Sequence, residues 1–514
     1  MSGILDLETY DDIIRDFSWN SVWALFDGNA TRMNLTHECI DRHRQRGAAI
    51  SVKFADGHAE HYEFAALSDL TGRFANWLAR RGIVRGDRVA VIVDPSRAFY
   101  VGMFGAMKYG AIAVPLFTLF GPEGLALRIN DCSPRLILAQ TAAEPLRSQF
   151  PDAQVVKADD AFWSELAAEN PDFTPDTSAS DLALFQYTSG TTRELPEAVK
   201  HTHRAVVTLM VAALYGLGLR PGDRYFCPSS PAWGHGLAHG TISPLALGIH
   251  TASYSGRFEV ERIFEALQDF AITNVAAAPT VFRLLRNSGL RDGYRINLRK
   301  LSYTGEPMDA ATMGWIENAF DVTPCSMYGT TEVGVLIVNY PGLDGYRVKP
   351  EALGKPVPGA EMAILDGEDR ELPPRQSGEI AVRRKGGWFH VKDRGYRDED
   401  GYFYIGGRSD DVIITAGWTM SAVEIENTLL KHPEVQEAAV VGVPDPVRGQ
   451  VVKAYLVARE PRLGLVEDIQ AFMKENLGRH EYPRQIELVA ELPRTPAGKV
   501  NRKALRDLAR QTSR

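Results

Sequence analysis

Residues 64–113 read FAALSDLTGRFANWLARRGIVRGDRVAVIVDPSRAFYVGMFGAMKYGAIA and decide the fold class. The apolar spacing predicts a helix from Phe64 to Arg81, a turn near Gly86, a buried strand from Arg88 to Val93 and a second helix from Ala98 to Tyr109. Helices that alternate with buried strands are typical of the α/β class, because parallel strands need a long crossover between them.

The same alternation continues along the chain, with short apolar runs next to helix-like segments. The apolar runs are 135–139, 182–187 and 271–277, and the helical segments include 204–216 and 260–270. We therefore expect a large N-terminal domain, residues 1–408, made of mostly parallel sheets flanked by helices.

The sequence pattern changes near residue 354, where glycine and proline become frequent. The segment GKPVPG at 354–359 introduces short strand-like runs and predicts a β-rich subdomain over about 354–408. Beyond the GGRSDD segment at 406–411, about a hundred residues carry their own helices and strands. They predict a small, mobile α+β C-terminal domain, residues 409–514, with a hinge at 408–411.

Composition excludes several classes of protein. The 514 residues carry 57 Lys and Arg against 65 Asp and Glu, a net charge of −8, which disfavours nucleic acid as a partner. The four cysteines show no CxxC spacing, which argues against a disulfide framework and a zinc site. No export signal and no long apolar run are visible, so we expect a cytoplasmic protein without a membrane span.

A polar loop follows the apolar run 182–187. It reads YTSGTT, from Tyr187 to Thr192, and places hydroxyl groups and a glycine where backbone N–H groups can converge on an anion. By itself such a cluster is also typical of an ordinary polar turn. Both interpretations remain open for the loop alone.

Five distant segments together are more specific than this loop. They are YTSGTT at 187–192, YTGEP at 303–307, YGTTE at 328–332, the segment 393–411 and PRTPAGK at 493–499. In order and spacing they resemble the adenylate-forming superfamily of acyl-CoA synthetases, luciferases and adenylation domains. The resemblance covers roughly residues 30 to 510 and is greatest to synthetases of the medium-chain and aromatic-acid type.

The resemblance implies ATP, Mg²⁺ and coenzyme A as the ligands and assigns a role to individual residues. Lys499 would be the catalytic lysine that the small domain delivers to the α-phosphate, Thr331 would bind that phosphate, and Glu332 would be the Mg²⁺ ligand. The phosphate loop would be Thr188, Ser189, Gly190, Thr191 and Thr192, and the adenine contacts would be Gly305, Glu306, Pro307 and Tyr328, with Gly329 and Thr330 as further cofactor contacts. Asp393 would bind the ribose, Arg408 the ribose or a phosphate, and Gly417 the pantetheine arm, and Asp410 would be the hinge. Read singly, most of these segments also suit ordinary surface turns.

The sequence departs from the family pattern in the phosphate loop. Arg193 stands where a glycine is usual, and residues 196–198 are Pro-Glu-Ala where Pro-Lys-Gly is usual, so the expected lysine is missing. We hypothesise that Arg193 or Lys200 supplies the lost positive charge; alternatively Mg²⁺ and the hydroxyl groups suffice. Departures at 391–392 and 419–422 affect the ribose and coenzyme A contacts.

The segments 230–236 and 276–280 would border the acyl pocket, with Trp233 and His235 lining it and His239 a weaker candidate. The first segment contains no acidic residue that could pair with a substrate ammonium, which favours a carboxylic acid without an amino group. Relatives specific for acetate carry a tryptophan at the position of Gly329. The glycine therefore predicts a substrate larger than acetate.

The predicted activity is that of an acid–thiol ligase. The carboxylate of a small-molecule acid attacks the α-phosphate of ATP to form an acyl-adenylate and pyrophosphate, and the thiolate of coenzyme A then displaces AMP. Two alternatives remain open: an adenylating enzyme that loads a carrier protein, and a catalytically impaired member that binds acyl groups or nucleotides. The sequence leaves the oligomeric state open, a homodimer included.

Overall fold

The computed structural model describes most of the chain. The described residues are 4–6, 9–118, 120, 122–141, 143–187, 198–305, 308–330, 333–349, 351–408, 413–415, 418–420, 422–445, 449–476, 482–495 and 499–512.

The described residues form twenty-four strands in four sheets. In chain order the strands are β1 Ala48–Phe54, β2 Ala59–Glu63, β3 Arg88–Ile92, β4 Ile112–Pro115, β5 Leu136–Ala139, β6 Gln154–Lys157, β7 Leu182–Tyr187, β8 Ala198–Thr202, β9 Arg224–Phe226, β10 His250–Ser255, β11 Asn274–Ala277, β12 Lys300–Tyr303, β13 Pro324–Thr330, β14 Gly334–Val338, β15 Lys355–Pro356, β16 Met362–Leu365, β17 Gly378–Arg384, β18 Gly387–Arg397, β19 Phe403–Arg408, β20 Ile413–Thr415, β21 Trp418–Met420, β22 Val435–Asp445, β23 Gly449–Ala458 and β24 Gln485–Leu488.

Sixteen α-helices lie between these strands within the same ranges. They are α1 Tyr10–Asp16, α2 Trp19–Trp23, α3 Leu35–Cys39, α4 Phe64–Arg80, α5 Arg97–Tyr109, α6 Pro122–Cys132, α7 Ala143–Gln149, α8 Asp160–Ala167, α9 Ala205–Val211, α10 Ser243–Ala246, α11 Val260–Asp269, α12 Pro279–Ser288, α13 Ala310–Phe320, α14 Ala422–Leu429, α15 Leu465–Asn476 and α16 Arg502–Thr512. Two π-helical segments, Ala212–Gly216 and His235–Ile242, adjoin α9 and α10, and short 3₁₀ turns occur at Ile4–Asp6, Asp41–His43 and Arg291–Gly293.

The two largest sheets are mostly parallel. The six-stranded sheet has the order β6-β5-β3-β4-β7-β8, and only its β7–β8 pair is antiparallel. The nine-stranded sheet has the order β15-β14-β13-β12-β11-β9-β10-β1-β2, with five parallel pairs at its centre. The predicted α/β class with parallel sheets is confirmed.

The stretch that opened the sequence analysis folds as predicted. Helix α5 is buried along almost its whole length, because two of its glycines allow neighbouring elements to approach. A Cβ atom on Gly105 would lie 2.6 Å from Cδ1 of Phe74 in α4, and one on Gly102 would lie 2.8 Å from Cδ2 of Leu138 in β5. The helix ends at Gly110, whose φ of 94° is a left-handed cap that favours glycine.

The remaining two sheets are smaller. Strands β16 to β19 form a purely antiparallel sheet, which confirms the predicted β-rich subdomain. Strands β20 to β24 form a mixed sheet covered by α14, α15 and α16, which confirms a small α+β C-terminal domain. The boundary at residue 408 and the mobility of this domain remain predictions, since Asp410 lies outside the described residues.

Several strands of the two parallel sheets lead into the predicted motifs. Strands β7, β9, β11, β12 and β13 all run into the segments that the sequence analysis singled out. Ligands of open α/β sheets bind outside the carboxyl ends of the strands, so this edge is the expected position of the site. Among the described helices, none is both long and apolar enough to cross a membrane.

Candidate active site

The core of the candidate site is formed by three neighbouring parallel strands. Strand β12 pairs with β11 on one side and with β13 on the other. Because the three strands are parallel, the residues that follow them lie side by side. The start of α12, the turn at Gly305 and the end of β13 at Thr330 therefore share one edge.

Lys499 of the C-terminal domain reaches this edge. A Cβ atom built on Gly305 would lie 3.1 Å from Cε and 3.5 Å from Nζ of Lys499. Gly305 has a φ of 98°, in the left-handed region, so both its backbone conformation and the close approach of the lysine favour glycine. Two residues that the sequence analysis placed in separate motifs, 194 positions apart, thus lie in contact.

A short turn presents Lys499. The backbone N–H of Thr495 donates to the Lys499 carbonyl at 2.7 Å, and Arg494 forms a β-bridge with Val500. The Arg494 guanidinium donates from Nη1 to Oγ1 of Thr280 in α12 at 3.4 Å and from Nη2 to Oε2 of Glu437 at 2.5 Å. The contact with Thr280 holds the turn against the strand edge, and the contact with Glu437 ties it to β22 of the C-terminal domain.

Tyr328 and Asp393 join two of the predicted nucleotide contacts. The Tyr328 hydroxyl donates to Oδ2 of Asp393 at 2.5 Å, from β13 to β18. Asp393 is buried, with 7% of its surface exposed. A hydrogen bond to a buried carboxylate fixes its orientation.

Thr330 offers an unused polar atom. Its Oγ1 is buried at the carboxyl end of β13 and has no hydrogen-bond partner in the described part of the chain. Buried hydroxyl groups are nearly always paired in proteins. An orphaned hydroxyl beside Tyr328 and next to the position of Thr331 fits a polar ligand such as a nucleotide.

The predicted acyl-pocket segment is held by aromatic packing. Trp233 lies against Phe117 and Phe120, with ring centroids 5.3 and 5.5 Å apart. The next residue, Gly234, leaves room for Gln186 of β7, because a Cβ atom there would lie 2.5 Å from the amide nitrogen of Gln186. The segment therefore lies across the carboxyl end of β7.

Sequence analysis missed Arg128, which completes this aromatic wall. Its guanidinium carbon lies 3.8 Å from the centroid of Phe120, on α6, and burial lowers its pKa. Nη1 donates to the carbonyl of Gly124 at 2.7 Å, whereas Nε is buried without a partner among the described residues. An arginine in an otherwise mixed helical pattern gave no signal of this position.

His235 and His239 lie on the π-helical segment that follows Trp233. Their ring centroids are 5.7 Å apart. Burial is the main cause that lowers the pKa of His235 to about 3, and His239 and Lys499 act in the same direction. Burial also lowers the pKa of His239 to about 4. The effect of Lys499 places His235 within electrostatic range of the candidate catalytic lysine.

Gly329 has a structural requirement that the sequence argument did not include. A Cβ atom there would lie 2.1 Å from the carbonyl oxygen of Gly334, across the β13–β14 hairpin. In the hairpin as this chain forms it, the backbone of Gly334 therefore leaves no room for a side chain at position 329. Its small size is not, by itself, a measure of the acyl pocket.

Lys200 lies on β8, the strand that follows the predicted phosphate loop in the chain. It is paired with Phe185 across the β7–β8 ladder, and its Nζ lies 5.4 Å from the centroid of the Phe185 ring. Arg193, the other candidate for the missing charge, lies outside the described residues. The hypothesis that Arg193 or Lys200 supplies the missing charge remains a prediction.

Several predicted site residues cannot be placed. Outside the described residues lie Thr188, Ser189, Gly190, Thr191, Thr192, Glu306, Pro307, Thr331, Glu332, Asp410 and Gly417. Arg408 is described only as the last backbone position of β19. The roles that the resemblance assigns to these residues remain predictions.

A bound metal must be considered together with the nucleotide. The described residues contain no group of three or more His, Cys, Asp or Glu that could hold a metal ion. Mg²⁺ commonly keeps its waters and is held by one or two carboxylates together with substrate phosphates. The predicted single ligand, Glu332, fits a metal that arrives on the nucleotide.

Comparison with protein families gives two matches that together span most of the chain. The model of the AMP-binding enzyme family matches residues 37–388, and the model of the AMP-binding enzyme C-terminal domain matches residues 424–499. The chain belongs to the AMP-binding enzyme family. The matches confirm the resemblance to adenylate-forming enzymes that the five motifs indicated.

Named relatives of this AMP-binding enzyme match it over nearly its whole length. An acetyl-coenzyme A synthetase of Bacillus subtilis is 31% identical over 98% of this chain and 96% of its own. A 4-hydroxybutyrate–CoA ligase of Metallosphaera sedula is 30% identical over 90% of this chain and 88% of its own. The mitochondrial acyl-coenzyme A synthetase ACSM3 of Mus musculus is 30% identical over 88% of this chain and 85% of its own.

Solved structures agree with the fold. A Brucella canis acyl-CoA synthetase is 31% identical, with a TM-score of 0.76 over 99% of this chain and 100% of that chain. The anthranilate CoA ligase AuaEII, solved with anthranoyl-AMP, is 26% identical, with a TM-score of 0.86 over 95% of this chain and 99% of that chain.

Proposed function

We propose that this AMP-binding enzyme is an AMP-forming carboxylate–CoA ligase that activates a medium-chain or aromatic carboxylic acid. The observation that carries the proposal is the contact of Lys499 with Gly305, which brings a cation of the C-terminal domain to the carboxyl edge of the central sheet. A lysine held there can act on a nucleotide bound along the same edge.

In the first half-reaction, a carboxylate oxygen of the acid attacks the α-phosphorus of ATP. The bond between that phosphorus and the oxygen bridging to the β-phosphate breaks, and pyrophosphate leaves with the electron pair. Negative charge develops on the oxygens of the α-phosphate during the attack. The Lys499 ammonium would stabilise this charge, an effect that in comparable sites contributes about 10²- to 10³-fold in rate.

Residues of β13 and β18 would orient the nucleotide. Tyr328 holds the Asp393 carboxylate in one orientation, in which it would accept hydrogen bonds from the ribose hydroxyls. Thr330 would donate its unpaired hydroxyl to the same ligand. Mg²⁺, held by Glu332, would supply positive charge against the phosphate oxygens.

In the second half-reaction, the thiolate of coenzyme A attacks the acyl carbonyl carbon and AMP leaves. The thiolate and Lys499 need the same access to the acyl-adenylate. We propose that the C-terminal domain rotates about Asp410, withdrawing Lys499 and bringing Gly417 to the pantetheine arm.

The acyl group would lie against the aromatic wall of Trp233, Phe117 and Phe120. This wall suits a ring or a chain better than acetate, because a two-carbon acid covers little of its apolar surface. The names of the relatives bracket this range, from acetyl-coenzyme A synthetase to anthranilate CoA ligase. Acetate therefore belongs in any substrate test.

The test measures pyrophosphate release with fatty acids of about two to twelve carbons, benzoates and cyclohexane carboxylates, with and without coenzyme A. We expect AMP, pyrophosphate and a CoA thioester in equal amounts with a medium-chain or aromatic acid. The Lys499→Ala variant should lose acid-dependent pyrophosphate release by about 10²-fold or more.

Three outcomes would contradict the proposal. Acetate preferred over every longer acid would refute the substrate class. Acyl-adenylate formation without thioester from free coenzyme A would favour transfer to a carrier protein. Nucleotide binding without any acid-dependent pyrophosphate release would favour a catalytically impaired binding protein.

A further inference from the structure

His235 and His239 have buried ring nitrogens without hydrogen-bond partners among the described residues. These atoms are both ring nitrogens of His235 and Nδ1 of His239. The two residues lie four positions apart in the π-helical segment, and their ring centroids are 5.7 Å apart with the ring planes inclined at 55°. π-Helical turns occur frequently at functional sites.

Other buried histidines show that this arrangement is unusual within the described chain. His203 accepts a hydrogen bond at Nδ1 from the backbone N–H of Leu35, and Nε2 of His250 bonds with Oγ of Ser51. Each of these structural histidines has at least one ring nitrogen satisfied. His235 has neither, although a buried imidazole normally costs free energy until both nitrogens are paired.

Both rings of the pair are neutral at physiological pH, because burial holds their pKa values at about 3 and about 4. The other charged group that acts on His235 is Lys499, and the backbone of Ala276 acts on its pKa in the opposite direction. A neutral imidazole presents one donor and one acceptor. The pair therefore suits a neutral group that can both donate and accept.

The unpaired ring nitrogens lie close to residues that the proposed function assigns to substrate binding. His235 lies near Ala276 at the end of β11 and within electrostatic range of Lys499, and it follows Trp233 by two residues. The Lys499 ammonium marks the reacting carboxylate end, and Trp233 marks the apolar wall. If the acid binds as in the proposed function, the imidazoles would lie beside its acyl group.

We propose that the acid activated by this enzyme carries a hydroxyl group, on its ring or chain, which hydrogen-bonds to His235 and His239. The inference rests on the proposed function and narrows its substrate class to hydroxylated medium-chain or aromatic carboxylic acids. A plain alkyl or phenyl group would displace water from the two imidazoles and leave them unpaired. A hydroxyl group can accept a hydrogen bond from the N–H of one imidazole and donate one to the unprotonated nitrogen of the other.

The test compares acids that differ by one hydroxyl group. Suitable pairs are each monohydroxybenzoate against benzoate, and hydroxyhexanoates against hexanoate, in pyrophosphate release and in thioester formation. We expect at least one hydroxylated acid to exceed its parent in kcat/KM by about 10- to 100-fold, the range for pairing buried polar groups that would otherwise stay unsatisfied.

Variants of the two histidines test whether they cause the preference for hydroxylated acids. His235→Phe and His239→Phe keep a ring but remove its nitrogens and should each reduce the ratio of hydroxylated to parent acid by about tenfold; His235→Gln should restore part of it. His250→Phe is the matched control, another buried histidine outside the site, and should leave the ratio unchanged even if it lowers the folded fraction.

The outcomes separate this inference from the proposed function. Equal kcat/KM for parent and hydroxylated acids, or a preference for dicarboxylic acids, overturns the inference while thioester formation still supports the ligase. An unchanged ratio in both phenylalanine variants also overturns it. Absence of pyrophosphate release with every acid overturns the proposed function, and the inference with it.

Discussion

Replacing Gly305 by alanine perturbs the lysine without removing it. The added Cβ would lie 3.1 Å from Cε of Lys499, about 0.3 Å inside ordinary van der Waals contact, and 3.5 Å from Nζ. The φ of 98° adds backbone strain of about 1–3 kcal/mol for a residue with a side chain. The lysine must retreat or the turn must shift, and displacements of this kind in an active site cost up to about 10²-fold in rate for 1 Å. We expect adenylation to slow about tenfold.

The assay separates the two half-reactions. ATP-dependent pyrophosphate release reports adenylation, and thioester formation from a supplied acyl-adenylate reports the second step, in which Lys499 has no role in our proposal. Only the first rate should fall. Gly314→Ala is the matched control, since a Cβ on Gly314 in α13 meets no atom within 4 Å. An unaltered adenylation rate in Gly305→Ala, or an equal loss in both half-reactions, would refute the reasoning.

Three further predictions follow from contacts described above. Tyr328→Phe removes the 2.5 Å hydrogen bond to Asp393 and should raise the KM for ATP about tenfold with little change in Tm; an unchanged KM would exclude a role in nucleotide binding. Burial lowers the pKa of His203 to about 4, below the value in an unfolded chain, so its stabilising contribution is complete above about pH 6.5 and is lost as the pH falls towards 4. Urea unfolding at pH 5 should therefore show a free energy of unfolding lower by about 2 kcal/mol from this group. His203→Gln should weaken the dependence of that free energy on pH, and an equal dependence in both proteins would contradict the burial argument. Gly72→Ala places a Cβ 1.8 Å from the carbonyl oxygen of Pro171 and should lower the free energy of unfolding by about 3 kcal/mol, measured against Gly314→Ala; a stable Gly72→Ala variant would show that the Pro171 segment adapts.

The sequence predicted the elements of the fold well where one period dominated. The helix predicted at 64–81 is α4, Phe64–Arg80, and the strand predicted at 182–187 is β7. The helix predicted at 204–216 is α9 followed by a π-helical turn, because hydrophobic periodicity does not distinguish the hydrogen-bond pattern of a last turn. The pairing of strands from distant parts of the chain was not predictable from periodicity.

For the candidate site, motif spacing identified residues that the fold brings together, such as Gly305 and Lys499. It gave no information on the hairpin that leaves no room for a side chain at position 329, nor on the contact of Lys200 with Phe185, because both depend on cross-strand neighbours. Arg128 was missed for the same reason: an aromatic partner contributed by another segment is invisible in a local pattern.

Strand β1 finds its parallel neighbour, β10, only after about two hundred further residues have been added: Ile50 pairs with Thr251 and Phe54 with Ser255. Until the ribosome has produced the intervening segment, one edge of the β1–β2 hairpin has no hydrogen-bonded neighbour. Strands of other chains can pair with such an exposed edge. Synthesis of this chain therefore passes through an interval in which shelter by a chaperone, or rapid elongation, determines the yield of native molecules.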